Sequence, residues 1–138
     1  VSTRSESLEA VLGDLPGRPY LYGARGPASF DCWGLVLEVR RRLGLVLPPD
    51  FAFAALDVAA VRALFDAPRP TGWHRSDPTL GAVVLAPEAR HAGIVVARRV
   101  LHAHKAAGVI AWALGTWSTE YGTLDCWQAG EKGGTRHG

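Results

Sequence analysis

The sequence predicts an α+β fold. Helical patterns fill its first half, and short runs rich in Val, Ile and Leu, separated by turns, fill its second. The length of 138 residues suits one domain, and 48% hydrophobic with 20% charged residues is ordinary globular composition. That apolar content excludes disorder as the main state, and a chain of this length buries a core without covalent staples.

The elements follow in order. Residues 5–12 form a short helix, with Ser5 as N-cap and Gly13 as terminator. Residues 31–43 are the strongest helix candidate: Leu35, Val36, Val39 and Leu43 make one apolar stripe. Gly44 stops that helix and Pro48-Pro49 keeps it from resuming. Residues 57–65 predict a third helix, capped by Asp57, with Val58, Val61, Leu64 and Phe65 facing inward. Residues 66–79 contain three prolines and read as a long loop. Strands are expected over 82–85, 92–97, 100–103 and 109–112, with a hairpin tip at Arg98-Arg99 and a turn over 105–108. A last strand is expected over 121–127. Residues 131–138 are Gly-rich and polar and read as a tail of the one domain spanning 1–138.

Charge narrows the function classes. The net charge is +2, and Arg40-Arg41-Arg42 reads as the solvated face of a helix, so no nucleic-acid partner is expected. No apolar run reaches the ~18 residues of a membrane span, and the N-terminus lacks a charged-then-apolar leader. Synthesis in the cytoplasm is the corresponding expectation. Two cysteines, Cys32 and Cys126, cannot build a disulfide framework. Cys126 reads as structural.

Residues 17–47 carry the chemical signal. A Gly- and Pro-rich loop leads into Asp31-Cys32, where the best helix begins. A cysteine in the first helical turn sees unpaired N–H groups and the positive dipole end, both of which favour a thiolate. Asp31 is positioned to cap that helix, and Gly34 leaves the side of the nucleophile open for close approach. The alternative is that Cys32 is a small apolar filler, because free cysteine is among the most buried residue types. A thiolate needs a base, and His91 and His102 lie on strands joined by a tight hairpin. Together with Cys32 they fit a Cys–His–His triad, with His91 taking the proton and His102 orienting it. His104 shares a sheet face with His102 and is its rival. Trp33, beside the cysteine, and Trp73, in the long loop, are candidates to line a groove.

Four segments in order resemble the NlpC/P60 family of papain-like cysteine peptidases: Pro19-Tyr20-Leu21-Tyr22-Gly23, Phe30-Asp31-Cys32-Trp33-Gly34-Leu35-Val36, His91-Ala92-Gly93-Ile94-Val95 and Leu101-His102-Ala103. The resemblance implies a Cys-bearing helix packed on a small antiparallel sheet that carries both histidines. It implies hydrolysis of bacterial cell-wall (peptidoglycan) peptides, typically between D-glutamate and a diamino acid. Cys32 would be the nucleophile, His91 the base and His102 the orienting residue. Tyr20 matches a tyrosine whose hydroxyl lies beside the cysteine, and Asp31 an aspartate that helps hold the substrate amine. The residue after the cysteine is usually serine and lies at the substrate site; here it is Trp33. DCWGLV followed by Leu47-Pro48 looks more like phage-tail and prophage members, which would make tail proteins partners and the virion, periplasm or cell wall the place of action. No cofactor is implied.

Two other classes remain at this stage. One is a non-catalytic phage-tail structural module that keeps a peptide-binding pocket. The other is a zinc site of Cys32, His91 and His102, with or without His104. Those ligand types suit zinc, but no CxxC or HExxH spacing supports it.

Overall fold

The computed structural model describes residues 7–50, 72–87 and 90–129; the helix expected over 57–65 and the tail over 131–138 lie outside them. Helix α1 spans Leu8–Asp14 and is capped by Ser7, not Ser5: the Ser7 hydroxyl accepts the Ala10 N–H at 3.1 Å. The helix runs through Gly13 to a cap at Leu15. Helix α2 spans Cys32–Arg42, between an N-cap at Asp31 and a C-cap at Leu43. Its stripe of Leu35, Val36 and Val39 is fully buried, as the periodicity requires.

The strands are β1 (Trp73–Ser76), β2 (Val83–Leu85), β3 (Ala92–Val96), β4 (Arg99–His104), β5 (Gly108–Ala113) and β6 (Cys126–Ala129), with helix α3 (Leu114–Tyr121) between β5 and β6. They form one sheet in the order β1-β6-β2-β3-β4-β5, and every neighbouring pair is antiparallel. Strands β2 to β5 make the expected meander, while β6 returns to lie between β1 and β2. The β3–β4 hairpin turns at Ala97-Arg98, one residue earlier than expected, with φ of 52° and 66°. Positive φ at both central residues gives the turn the twist its strands need. At the other edge, Gly17 and Arg18 clip onto β5: Gly17 N–H donates to Val109 O at 2.8 Å, and Val109 N–H to Arg18 O at 2.9 Å. The loop thereby covers part of an edge that would otherwise present unpaired backbone.

Three expectations are corrected here. Residues 73–76, read as loop, pair with β6 as an edge strand. Tyr121, read as the start of a strand, ends α3, and the strand begins only at Cys126. Arg40 is not on a solvated face but buried. Its guanidinium donates to Val46 O at 2.6 Å, Gly81 O at 2.7 Å and Gln128 Oε1 at 3.1 Å, and stacks on Trp73. One side chain thus ties α2, the loop after it and the β1–β6 end of the sheet together. Arg41 does face solvent, on Glu38.

The sheet separates two cores. Helix α2 covers β3 and β4 on one face, where Leu35, Val36 and Val39 meet Val83, Leu85, Ile94, Leu101 and Val109. Each such side chain contributes roughly 1.5–3 kcal/mol by leaving water. Helix α3 covers β4 and β5 on the opposite face, where Trp117 packs with Val84, Val95, Val100 and Cys126. Among the described residues no helix is long and apolar enough to cross a membrane.

Candidate active site

The loop before α2 is held by its own backbone. Phe30 N–H donates to Pro19 O at 3.1 Å, Leu21 N–H to Phe30 O at 3.2 Å and Asp31 N–H to Ala24 O at 3.0 Å. Asp31 anchors the junction. Its Oδ1 accepts the Gly34 N–H and the Arg25 guanidinium, both at 2.7 Å, and its Oδ2 accepts the Gly23 N–H at 3.2 Å. Gly34 permits the arrangement: a Cβ there would lie 2.2 Å from Ala24 O. The space at Gly34, expected to stay open beside the nucleophile, is instead filled by the 24–25 backbone. Helix α2 and the loop are locked together, and Cys32 is fixed in the first helical turn.

Cys32 is 8% exposed and reaches the start of β3, where the backbone N–H groups of Ala92 and Trp33 point at its sulfur. Burial pushes the thiol up to about 12, and the Asp31 carboxylate adds to that; the two N–H groups and Arg25 pull the other way. The residue before Ala92 is His91. Its Nε2 lies 3.0 Å from Nδ1 of His102 on β4. Both imidazoles are pushed down, to about 4 for His91 and about 3 for His102. Burial is the main cause, and neighbouring basic groups add to it. At neutral pH the site therefore rests as a neutral thiol beside two neutral imidazoles. Among the described residues no hydrogen bond joins Cys32 to His91, a separation common in active sites before substrate tightens them.

The histidines sit on the α3 face of the sheet, inside an aromatic shell. His91 stacks on Trp117 at 5.8 Å and lies 5.9 Å from Tyr121 between ring centroids. His102 meets Trp112 in a T-shaped contact at 4.2 Å. Gly93 makes the space: a Cβ there would meet Val100 Cγ1 at 2.7 Å and His102 Cβ at 3.3 Å. Among the described residues two buried nitrogens, His102 Nε2 and Trp117 Nε1, have no hydrogen-bond partner. The tautomers follow if His91 is to accept a proton at Nδ1. Its Nε2–H then donates to His102 Nδ1, which leaves the proton of neutral His102 on Nε2. Trp112, packed against that ring, offers a π surface in place of a conventional acceptor.

The other expected site residues are divided. Tyr20 is half-buried, and burial followed by the charge of Cys32 raises its hydroxyl, which puts it in the sulfur's vicinity. Asp31 is buried, and its carboxylate is committed to the cap, Arg25 and Gly23. Trp33, expected to line the groove, is fully enclosed and donates its indole N–H to Pro49 O at 2.9 Å. The reason is its place on α2: it packs against the loop that follows the helix, where Pro48 is also buried. Trp73, the other groove candidate, lies in the core beneath Arg40. His104 does not meet His91 by hydrogen bond. Its Nδ1 accepts the Ala106 and Ala107 N–H groups, each at 3.1 Å, and so closes the β4–β5 turn. Both cysteines are free thiols. Among the described residues no group of three or more His, Cys, Asp and Glu is arranged to hold a metal ion.

Sequence reasoning missed Trp112, Trp117 and Tyr121 as the histidines' surroundings. Register held a signal for the first: Trp112 pairs with Val100, two residues from His102 on the same face. It also missed Arg90 and Lys105. These join His91, His104 and Tyr121 around a cavity of about 280 Å³.

The comparisons agree with this architecture. The model of the NlpC/P60 family matches residues 17–128. An NLP/P60-family protein of Staphylococcus aureus, described as similar to lipoprotein, superposes with a TM-score of 0.55 at 17% identity, covering 94% of this chain and 44% of its own. NlpC2 of Trichomonas vaginalis superposes with a TM-score of 0.54 at 16% identity, covering 88% of this chain and 45% of its own. The chain thus spans under half the length of these two structures, and the likeness is one of fold. No curated protein matches the chain.

Proposed function

The chain belongs to the NlpC/P60 family, and from that premise we propose that it is a cysteine peptidase that hydrolyses peptidoglycan stem peptides. The observation that carries the reading is the His91–His102 hydrogen bond, made next to the strand residue whose N–H points at the Cys32 sulfur. A nucleophile, a candidate base and a group that orients the base come from three elements to one end of the sheet.

His91 Nδ1 takes the Cys32 proton as Sγ bonds to the amide carbonyl carbon. The Cys32 backbone N–H lies in the first helical turn, where N–H groups lack intrahelical partners, and it supports the oxyanion. The C–N bond breaks and His91 returns the proton to the leaving amine. Water then gives a proton to His91, attacks the thioester and releases the carboxylic acid, and Cys32 is reprotonated. The neutral resting pair means that substrate entry must precede proton transfer: burying the site further favours neutral groups until the oxyanion forms. His102 fixes the His91 tautomer throughout. Tyr20 borders the sulfur, and Asp31 acts by holding the helix start that carries the nucleophile.

Two finer points belong to the same proposal. The bond cleaved is that between D-glutamate and the diamino acid. The place of action is the cell wall, reached through a phage tail or prophage product, which rests on the DCWGLV and Leu47-Pro48 pattern. The pattern is one packing unit here, since Trp33 bonds to Pro49 and Pro48 is buried.

A second reading, a tail module that binds wall peptides without cutting them, is favoured by the buried neutral thiol, which has no hydrogen bond to His91. Mass spectrometry of purified muropeptides separates the two. New fragments made by the native chain and absent with Cys32→Ala establish the peptidase, and their masses identify the bond. An unchanged digest with peptide still bound establishes the module.

A further inference from the structure

The described lining of the cavity beside His91 brings two cationic side chains together. Among the described residues Arg90, His91, His104, Lys105 and Tyr121 line it, none of them a carboxylate, with Glu120 next to Tyr121 the carboxylate near its rim. Among the described residues Arg90 donates through its Nε, toward Pro87 O at 3.2 Å, and neither Nη group makes a hydrogen bond in the cavity it lines. Lys105 stands exposed on the β4–β5 turn. The backbone donors held by His104 Nδ1 put that ring's proton on Nε2, which makes it a fixed donor in the wall. Tyr121 adds a hydroxyl. Two cations in one concavity repel each other unless an anion joins them, and an arginine fork matches the two oxygens of a carboxylate. A volume of about 280 Å³ is enough for a side chain or terminal group, not a whole muropeptide.

We propose that Arg90 and Lys105, with His104 and Tyr121, form a subsite for a substrate carboxylate adjoining the scissile amide. The inference rests on the peptidase reading and sharpens it. The chain selects peptides that carry a free acid next to the cleaved bond, and it discriminates against those in which that acid is a carboxamide. Stem peptides occur with either group, so the subsite would set which wall chemistries are cut. The carboxylate takes part in no bond change. It holds the peptide so that the carbonyl lies between Cys32 and His91.

The test uses synthetic L-alanyl-γ-D-glutamyl-diamino acid peptides in matched pairs. One pair differs by acid or carboxamide at the glutamyl α-carboxyl, the other at the diamino acid. The native chain should cleave the free acid of at least one pair roughly tenfold better in kcat/KM, through KM. In the R90Q/K105Q variant that ratio should fall toward one, and rising salt should lower the native ratio in the same direction. Both residues are exposed, and circular dichroism checks that the variant folds. A native ratio near one in both pairs, or a variant that keeps the native ratio, overturns the subsite. If no peptide is cleaved, the peptidase reading fails by itself. The subsite is then decided by calorimetric binding of the same pairs to Cys32→Ala protein, with or without R90Q/K105Q. Acid preference lost with the cations upholds it, and equal binding of acid and amide overturns it.

Discussion

The two faces of the sheet are built for different work. Beneath α2 the contact with the central strands is aliphatic, with Leu35, Val36, Val39, Ile94 and Leu101 at full burial, and Phe30, Trp33, Trp73 and Trp127 complete the same core. Beneath α3 it is aromatic and titratable, with His91 and His102 set among Trp112, Trp117 and Tyr121. The first face holds a helix still; the second holds two imidazoles neutral. The candidate site forms where the α2 N-terminus reaches the end of the sheet and its cysteine meets the β3 backbone at Ala92. Stability and chemistry are therefore separable by substitution, although they share one sheet.

The largest effect expected from breaking that separation is at His102. His102→Ala removes the group that sets the His91 tautomer and should lower kcat by about 10²–10⁴-fold. His102→Gln, which still offers an acceptor to His91 Nε2, should recover part of the loss. Equal damage from both variants would mean that the ring serves only to fill space. On the aliphatic face, Leu35→Ala should cost about 2–5 kcal/mol in urea unfolding while kcat of the folded fraction is kept. A fall in kcat without a loss of stability would show that the two faces are not independent.

The smallest effect expected is pH-dependent. Both imidazoles are pushed down from the ordinary 6.5, to about 4 and about 3, so the unfolded chain binds their protons first as pH falls. The stability they confer is complete above about pH 6.5 and is lost progressively as pH falls toward 4 and 3. The thermal midpoint should drop across that window, and the drop should be shallower in His102→Gln. A midpoint flat from pH 7 to 4 would contradict the burial of these rings as neutral groups.

Much of this was legible in the sequence because it is local. The apolar stripe and the Asp31 cap define α2, and short Val- and Ile-rich runs around tight turns define β2 to β5. What the sequence concealed depends on contacts far along the chain. Strand β1 is a polar strand that, among the described residues, pairs with β6 alone, about fifty residues on. Helix α3, LGTWSTEY, has weak intrinsic propensity and one fully buried side chain, Trp117, and is held by its dock on β4 and β5. Arg40 looks like its neighbours Arg41 and Arg42 in a charge run; only the packed structure supplies the carbonyls that let it be buried. Cys32, His91 and His102 stand out as candidates from a helix start and a hairpin. The aromatic shell and the cations around them come from β5, the β4–β5 turn, an unforeseen helix and the loop that leads into β3. Trp33 misled because adjacency to Cys32 in sequence suggested adjacency to substrate, whereas successive residues of a helix point about 100° apart.

The most direct measurement of the central claim is intact-protein mass spectrometry of acid-quenched mixtures of the chain with a cleavable muropeptide, taken within the first turnover. The account predicts a transient mass gain equal to the acyl part of the substrate. The gain should map to Cys32, be absent in Cys32→Ala and be strongly delayed in His91→Ala. Turnover that proceeds equally in Cys32→Ala, or an adduct on any other residue, would contradict it.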